Sequence, residues 1–143
     1  MTDPCPLCAK SPDSVLWRDD ALRIIVPEDS GWSGLCRVVW NEHVAEMTDL
    51  DEIARGKLMA AVYATERALR VVLAPDKINL ASLGNLVPHL HWHVVPRWRD
   101  DSHFPAPIWA GAVRGARALR LDVDLDARLR RELTATLGTP SLG

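Results

Sequence analysis

The sequence predicts an α+β domain in which an antiparallel sheet packs against a long α-helix and a short C-terminal helix. Three observations carry this. Short β-branched runs precede one long amphipathic stretch, further short runs follow it, and a leucine-spaced segment closes the chain. Strands and helices are therefore segregated, whereas alternating βαβ units would interleave them.

In chain order, Leu22-Arg23-Ile24-Ile25-Val26 and Leu35-Cys36-Arg37-Val38-Val39-Trp40 are bounded by Pro27 and by Ser30-Gly31-Trp32-Ser33-Gly34, which predicts two antiparallel strands joined by a turn-rich loop. From Thr48, apolar residues recur as Leu50, Ile53, Leu58, Ala61, Val62, Leu69, Val72 and Leu73 until Pro75 ends the pattern. This predicts one amphipathic helix with Thr48 as N-cap and with Asp49, Asp51 and Glu52 at its positive end. Lys77–Ala81 and His89–Val95 then predict two more strands around a turn at Leu83–Pro88, which gives the order ββ, α, ββ. Leu125, Leu129, Leu133 and Leu137 before Gly138 predict the terminal helix.

With 143 residues, the chain has the length of one domain able to bury a core. Its 48% hydrophobic and 25% charged residues place it among soluble globular proteins rather than disordered or fibrous ones. We divide it into residues 1–112, which carry the chemistry, and a C-terminal extension, 113–143, with the short helix. A net charge of −2 provides no overall positive field for a nucleic-acid backbone, so an anionic ligand must be held locally. No segment approaches the roughly 20 apolar residues of a membrane helix, and the start lacks a basic-then-apolar signal, so a cytoplasmic protein is expected. Cys5-Pro6-Leu7-Cys8 reads as a metal or redox pair rather than as part of a disulfide scaffold, and Cys36, in an apolar run, as a buried small hydrophobe.

Three of the five histidines fall at alternate positions in His89-Leu90-His91-Trp92-His93-Val94-Val95. In a strand, such spacing puts all three imidazoles on one surface and Leu90, Trp92 and Val94 on the other. Imidazoles in a row either chelate zinc or include a nucleophile whose orientation and protonation its neighbours control.

The stretch from Lys77 to Arg97 resembles the signature of the histidine-triad (HIT) family, His-φ-His-φ-His-φ-φ with φ apolar, preceded by Gly84 and followed by Pro96. Arg99-Asp100-Asp101 and Pro105-Ala106-Pro107-Ile108-Trp109 further resemble a bacterial, diadenosine-tetraphosphate-hydrolase-like branch. The resemblance implies a HIT-like fold, a homodimer and a purine nucleotide conjugate as substrate. It also implies a nucleotidyl intermediate on His91, with His93 supporting charge at the phosphate and His89 orienting the site. No metal is needed for that chemistry. Asn79 and Asn85 stand where relatives contact phosphate or ribose, and Glu28 or Asp29 where they hold the ribose hydroxyls. Ile24 and Val26 are candidates to wall the base, and Arg97 and Arg99 to meet polyphosphate. Where many phosphoramidate-cleaving relatives carry a serine, this chain has Leu86, which favours anhydride substrates.

In part of the superfamily a cysteine pair, a later histidine and the first motif histidine bind structural zinc, which would make Cys5, Cys8, His43 and His89 the ligands here. The functional expectation is a nucleotide hydrolase acting on dinucleoside polyphosphates or related conjugates. The alternatives are a nucleotidyltransferase or phosphoramidase of the same family, a nucleotide-binding sensor, and, ranked last, a zinc hydrolase using all three motif histidines.

Overall fold

The computed structural model describes residues 4–9, 12–28, 30–117 and 124–142. Strands β1 (Ser14–Arg18), β2 (Leu22–Val26) and β3 (Cys36–Trp40) precede helix α1 (Glu52–Leu73), and β4 (Lys77–Ala81), β5 (His91–Arg97) and helix α2 (Leu125–Leu137) follow it. The strands form one sheet in the order β1-β2-β3-β5-β4, with every neighbouring pair antiparallel. An α+β domain with a segregated antiparallel sheet is therefore what the chain forms.

The sequence expectation omitted β1. Its register with β2 shifts between Val15 and Trp17, so Leu16 and Trp17 are both buried in the same core and the alternation that marks a strand is lost. The helix also begins later than expected. Thr48 lies in a short 3-10 turn, Met47–Asp49, and the N-cap is Asp51, whose carboxylate accepts the Ala54 N–H at 2.8 Å. Ile53, assigned to the apolar face, is 85% exposed, and the buried residues of the helix begin at Leu58.

One face of the sheet is dry. Leu22, Ile24, Val38 and Val94 pack there with Leu58, Val62 and Leu69 of α1 and with Leu129 and Leu133 of α2. Helix α2 is fastened to β1 as well: Ser14 Oγ donates to Asp126, and the Trp17 indole donates to the Gly138 carbonyl at 2.9 Å. Gly34 is required by a close approach, since a Cβ there would lie 2.6 Å from Leu73 Cδ1, and its φ of +79° disfavours other residues. Cys36 is buried as expected, and burial pushes its thiol up to about 12.

The opposite face carries a smaller apolar cluster, in which Leu7 covers Ile25 and Val39. Ile24 and Val26, the expected base-wall residues, instead face the helix side, because strand side chains alternate and the other parity of β2 faces away from the helices. No helix among the described residues is long and apolar enough to cross a membrane.

Candidate functional site

Leu90 and Val94 lie in the main core with Trp92 packed against it, as the alternation of the motif predicts, and the three histidines take the other parity. The strand begins at His91, two residues later than expected, so His91 and His93 lie within it and His89 just before it. Their rings are 4.9 Å apart, and both line a cleft of about 700 Å³ on the sheet face away from the helices. Pro6 and Leu7 border it on one side and Leu83 to Val87 on another, and Trp109 lies edge-on to His93 at 5.0 Å. His89 precedes the strand and is fully buried.

His91 Nδ1 donates to the carbonyl oxygen of His89, which fixes the neutral tautomer and leaves the Nε2 lone pair available. His89 thus orients His91 through its main chain and not through its ring. Burial, and the nearby Arg37 charge, hold His91 below the ordinary histidine value despite that hydrogen bond. His93 is pushed down to about 4 by burial, then by His91 and Arg37. Both rings are accordingly neutral near pH 7, the form a nucleophilic imidazole needs.

The His89 ring belongs to a second cluster. Its Nε2 donates to the Trp40 carbonyl at 2.6 Å, so its Nδ1 presents a lone pair toward Cys5, Cys8 and His43. Cys5 Sγ and Cys8 Sγ each lie 3.5 Å from that nitrogen, Cys8 Sγ lies 3.3 Å from His43 Nδ1, and the two histidine nitrogens are 3.1 Å apart. All four ligand atoms fall within 4.8 Å of one another. A tetrahedral zinc with ordinary bond lengths separates two nitrogens by about 3.3 Å and a nitrogen from a sulfur by about 3.6 Å. The donor set and its spacing therefore fit a Cys₂His₂ metal centre, whose role would be to clamp the N-terminal turn onto the sheet. Arg23 reinforces that clamp, donating to the Leu7 carbonyl and to Asn41.

The remaining expected site residues divide. Asn85, Leu86 and Glu28 line the cleft. Asp29 lies outside the described residues. Asn79 is not among the lining residues, since its Oδ1 accepts a 2.7 Å hydrogen bond from Arg97 on the neighbouring strand. Nor is Arg97 free to meet polyphosphate. It is 2% exposed, forms a two-pronged ion pair with Asp101 and donates to the Ala106 carbonyl, while Trp32 and Phe104 lie 5.5 and 5.7 Å from its guanidinium carbon. Arg99 is exposed on the loop beyond. Sequence reasoning missed Arg37, which lines the cleft opposite His93; the available signal was a single cation at the cleft-facing parity of an otherwise apolar strand.

The Arg97–Asp101 pair holds the loop that delivers Trp109. Asp101 also accepts the N–H groups of Trp98, His103 and Phe104. Burial alone would raise this carboxyl, but those donors, led by Arg97, hold it at about 2 instead of 3.8. Its contribution to stability is therefore present above the unfolded value and is lost as pH falls through the folded one, a difference worth roughly 2 kcal/mol. In Asp101→Asn, melting temperature measured from pH 7 downward is expected to be lower at neutral pH. It should also decline less steeply than wild type between about pH 4 and pH 2. Parallel curves for the two proteins would show that the pair does not couple protonation to folding.

Comparison with known proteins agrees with this architecture. An AP-4-A phosphorylase from Mycobacterium tuberculosis is 35% identical over 77 residues, a match covering 50% of this chain and 40% of the relative. The match thus reaches less than half the length of that curated relative. A histidine triad protein from Bradyrhizobium japonicum superposes with a TM-score of 0.71 at 29% identity, covering 85% of this chain and 90% of the other. A zinc-bound histidine triad family protein from Mycobacterium smegmatis shares the fold with a TM-score of 0.60 at 22% identity, covering 87% of this chain and 86% of its own. Residues 9–100, well over half of the chain, match the HIT domain family, and the protein belongs to that family.

Proposed function

We propose that this protein cleaves dinucleoside polyphosphates or related nucleotide conjugates at the α-phosphate, through a covalent nucleotide on His91. The observation that carries this reading is the fixed tautomer of His91: with Nδ1–H given to the His89 carbonyl, Nε2 faces a cleft of a size that suits a nucleotide. Nε2 attacks phosphorus, a P–N bond forms, and the P–O bond to the leaving phosphate breaks with the electron pair departing on that oxygen. An acceptor oxygen then attacks, the P–N bond breaks, and the imidazole returns to its neutral form. His93, beside His91, and the Asn85 amide supply hydrogen bonds to the charged phosphoryl oxygens. The metal in this reading is zinc at Cys5, Cys8, His43 and His89, away from the reacting atoms.

Incubation with diadenosine tetraphosphate and rapid acid-free quench should reveal, by intact mass spectrometry, a protein carrying one nucleotidyl group. Turnover with no adduct trapped at any time point, together with no isotope evidence for two successive displacements, would remove the covalent route. A second reading, transfer to phosphate, is favoured by the name of the mycobacterial relative, AP-4-A phosphorylase. The two differ in product: water as acceptor releases a nucleoside monophosphate, and inorganic phosphate releases a nucleoside diphosphate.

Leu86 makes a further prediction about leaving groups. It lines the cleft, is 94% exposed and has no proton to give. An amine leaves poorly unless protonated, and general acid help is worth about 10²- to 10⁴-fold. Dinucleoside polyphosphates should therefore have a higher kcat/KM than nucleoside phosphoramidates. Leu86→Ser should narrow the gap by raising the phosphoramidate rate. A wild-type preference for phosphoramidates would show that another group delivers the proton.

A further inference from the structure

Arg23, Arg37 and Arg97, on the cleft side of the sheet, differ in what they meet. Arg23 gives its protons to the Leu7 carbonyl and Asn41, and Arg97 gives its protons to Asp101, Asn79 and the Ala106 carbonyl. Arg37 is placed more centrally than either, in the middle strand of the sheet, opposite Ile25 on one side and His93 on the other. Its Nε is buried with no hydrogen-bond partner. The Nδ1 of His93, across the strand pair, is buried and unpartnered too, and among the described residues no other buried side-chain nitrogen or oxygen lacks a partner. Directly opposed residues hold their Cβ atoms about 5 Å apart, so these two groups are neighbours over one stretch of cleft.

A guanidinium set among Ile25 and Val39 is costly to desolvate, and a donor left unpaired there adds to that cost. The protein does not offset it locally at Nε. Among the described residues that line the cleft, Arg37 is also the one lysine or arginine, and Asp13 and Glu28 add negative charge there. Among the described residues, the permanent cation that an anionic ligand reaching His91 would meet is therefore Arg37, beside the nucleophile's neighbour. Its planar fork of donors matches a phosphate in geometry as well as in charge.

We propose that Arg37, together with His93, holds a second phosphate of the substrate next to the one that His91 attacks, so that the site selects conjugates with at least two linked phosphates. This rests on the nucleotide-cleaving reading above and names its substrate class. The reacting phosphate faces Nε2 of His91, and the adjoining phosphate, which becomes the leaving group, occupies the Arg37 position. A phosphoramidate with a single phosphate leaves that position empty.

Two measurements on the full-length, metal-loaded chain test this. In the first, inorganic pyrophosphate is titrated calorimetrically into wild type, Arg37→Gln and Arg37→Lys. The expected result is at least tenfold weaker binding in Arg37→Gln and a smaller loss in Arg37→Lys, which keeps the charge but not the fork. Unchanged affinity in Arg37→Gln, or no binding by wild type, overturns the proposal. In the second, kcat/KM is compared for diadenosine tetraphosphate and an adenosine phosphoramidate. Arg37→Gln should lose at least tenfold on the first while staying within about threefold on the second. Equal losses on both would assign Arg37 to the reacting phosphate or to the fold and overturn the selectivity. Weakened pyrophosphate binding in a protein that turns over no nucleotide would leave the anion site standing and remove the nucleotide-cleaving reading. Normal turnover with unaltered pyrophosphate affinity would do the reverse. If Arg37→Gln does not fold, Arg37→Lys carries the same comparisons.

Discussion

His91→Ala is expected to lower nucleotide turnover by roughly 10⁴-fold or more while leaving nucleotide affinity within about tenfold. The asymmetry follows from what the imidazole contributes. It supplies the atom that forms the new bond, so its removal deletes the route rather than weakening a contact. Ground-state binding is spread over the cleft walls, which the substitution leaves in place: Leu7, Leu83 and Trp109 for apolar contact, and Arg37 for charge. Single-turnover kinetics and equilibrium titration on the same preparation separate the two quantities. Retained turnover in His91→Ala would sink the covalent mechanism, whereas the metal-hydrolase alternative, which uses all three motif histidines, is distinguished by its prediction that prolonged chelation stops catalysis.

Cys8→Ser is the second change with a large expected effect. Purified wild type should contain about one zinc per chain, and the variant should lose most of it and unfold at a lower temperature. Energy released on metal binding at such a site is folding energy, and losing even part of it costs several kcal/mol, or on the order of 10 °C in Tm for a chain of this size. The structural reason is specific. The N-terminal turn is held to the sheet by Leu7 in its small apolar cluster, by Arg23 and by the four ligands, and the first of these offers little area. Elemental analysis and thermal melting with and without chelator provide the check. A metal-free wild type whose melting ignores chelator would mean that Cys5 and Cys8 are simply two thiols.

Much of this architecture was legible because the relevant signals were periodic. Leu58, Val62 and Leu69 announce the helix, and Ile24 and Val38 the strands they cover, since each repeats at the spacing its element imposes. What escaped was whatever broke a period. The shift in β1 put Leu16 and Trp17 on one side and hid a strand. At the motif, alternation separates the histidines from Leu90, Trp92 and Val94, but it does not show that the His89 ring meets the cysteine cluster. Its grouping with Cys5, Cys8 and His43 came from family resemblance, because no spacing rule joins residues so far apart in sequence. The hydrogen bond between Asn79 and Arg97 was illegible for a related reason. Sequence shows that a residue is polar but not that another polar residue lies within 2.7 Å on the next strand. Arg37 was visible all along as the lone cation in an apolar run, and only the orphaned nitrogen across from His93 gives it a meaning.

The two-faced sheet also sets how this protein can change over generations. Along β3 and β5, Val38 and Val94 serve the interior while their immediate neighbours Arg37 and His93 serve the cleft. A codon substitution at one parity can retune what the cleft accepts while leaving the interior residues as they were, so chemistry and folding are free to drift separately. A single-codon deletion or insertion within either strand has no such freedom. It slides each later side chain of the strand to the opposite face, burying Arg or His against the helices and exposing valine to the cleft. Variation inside these strands should therefore accumulate by replacement, and changes of length should be confined to the loops between them.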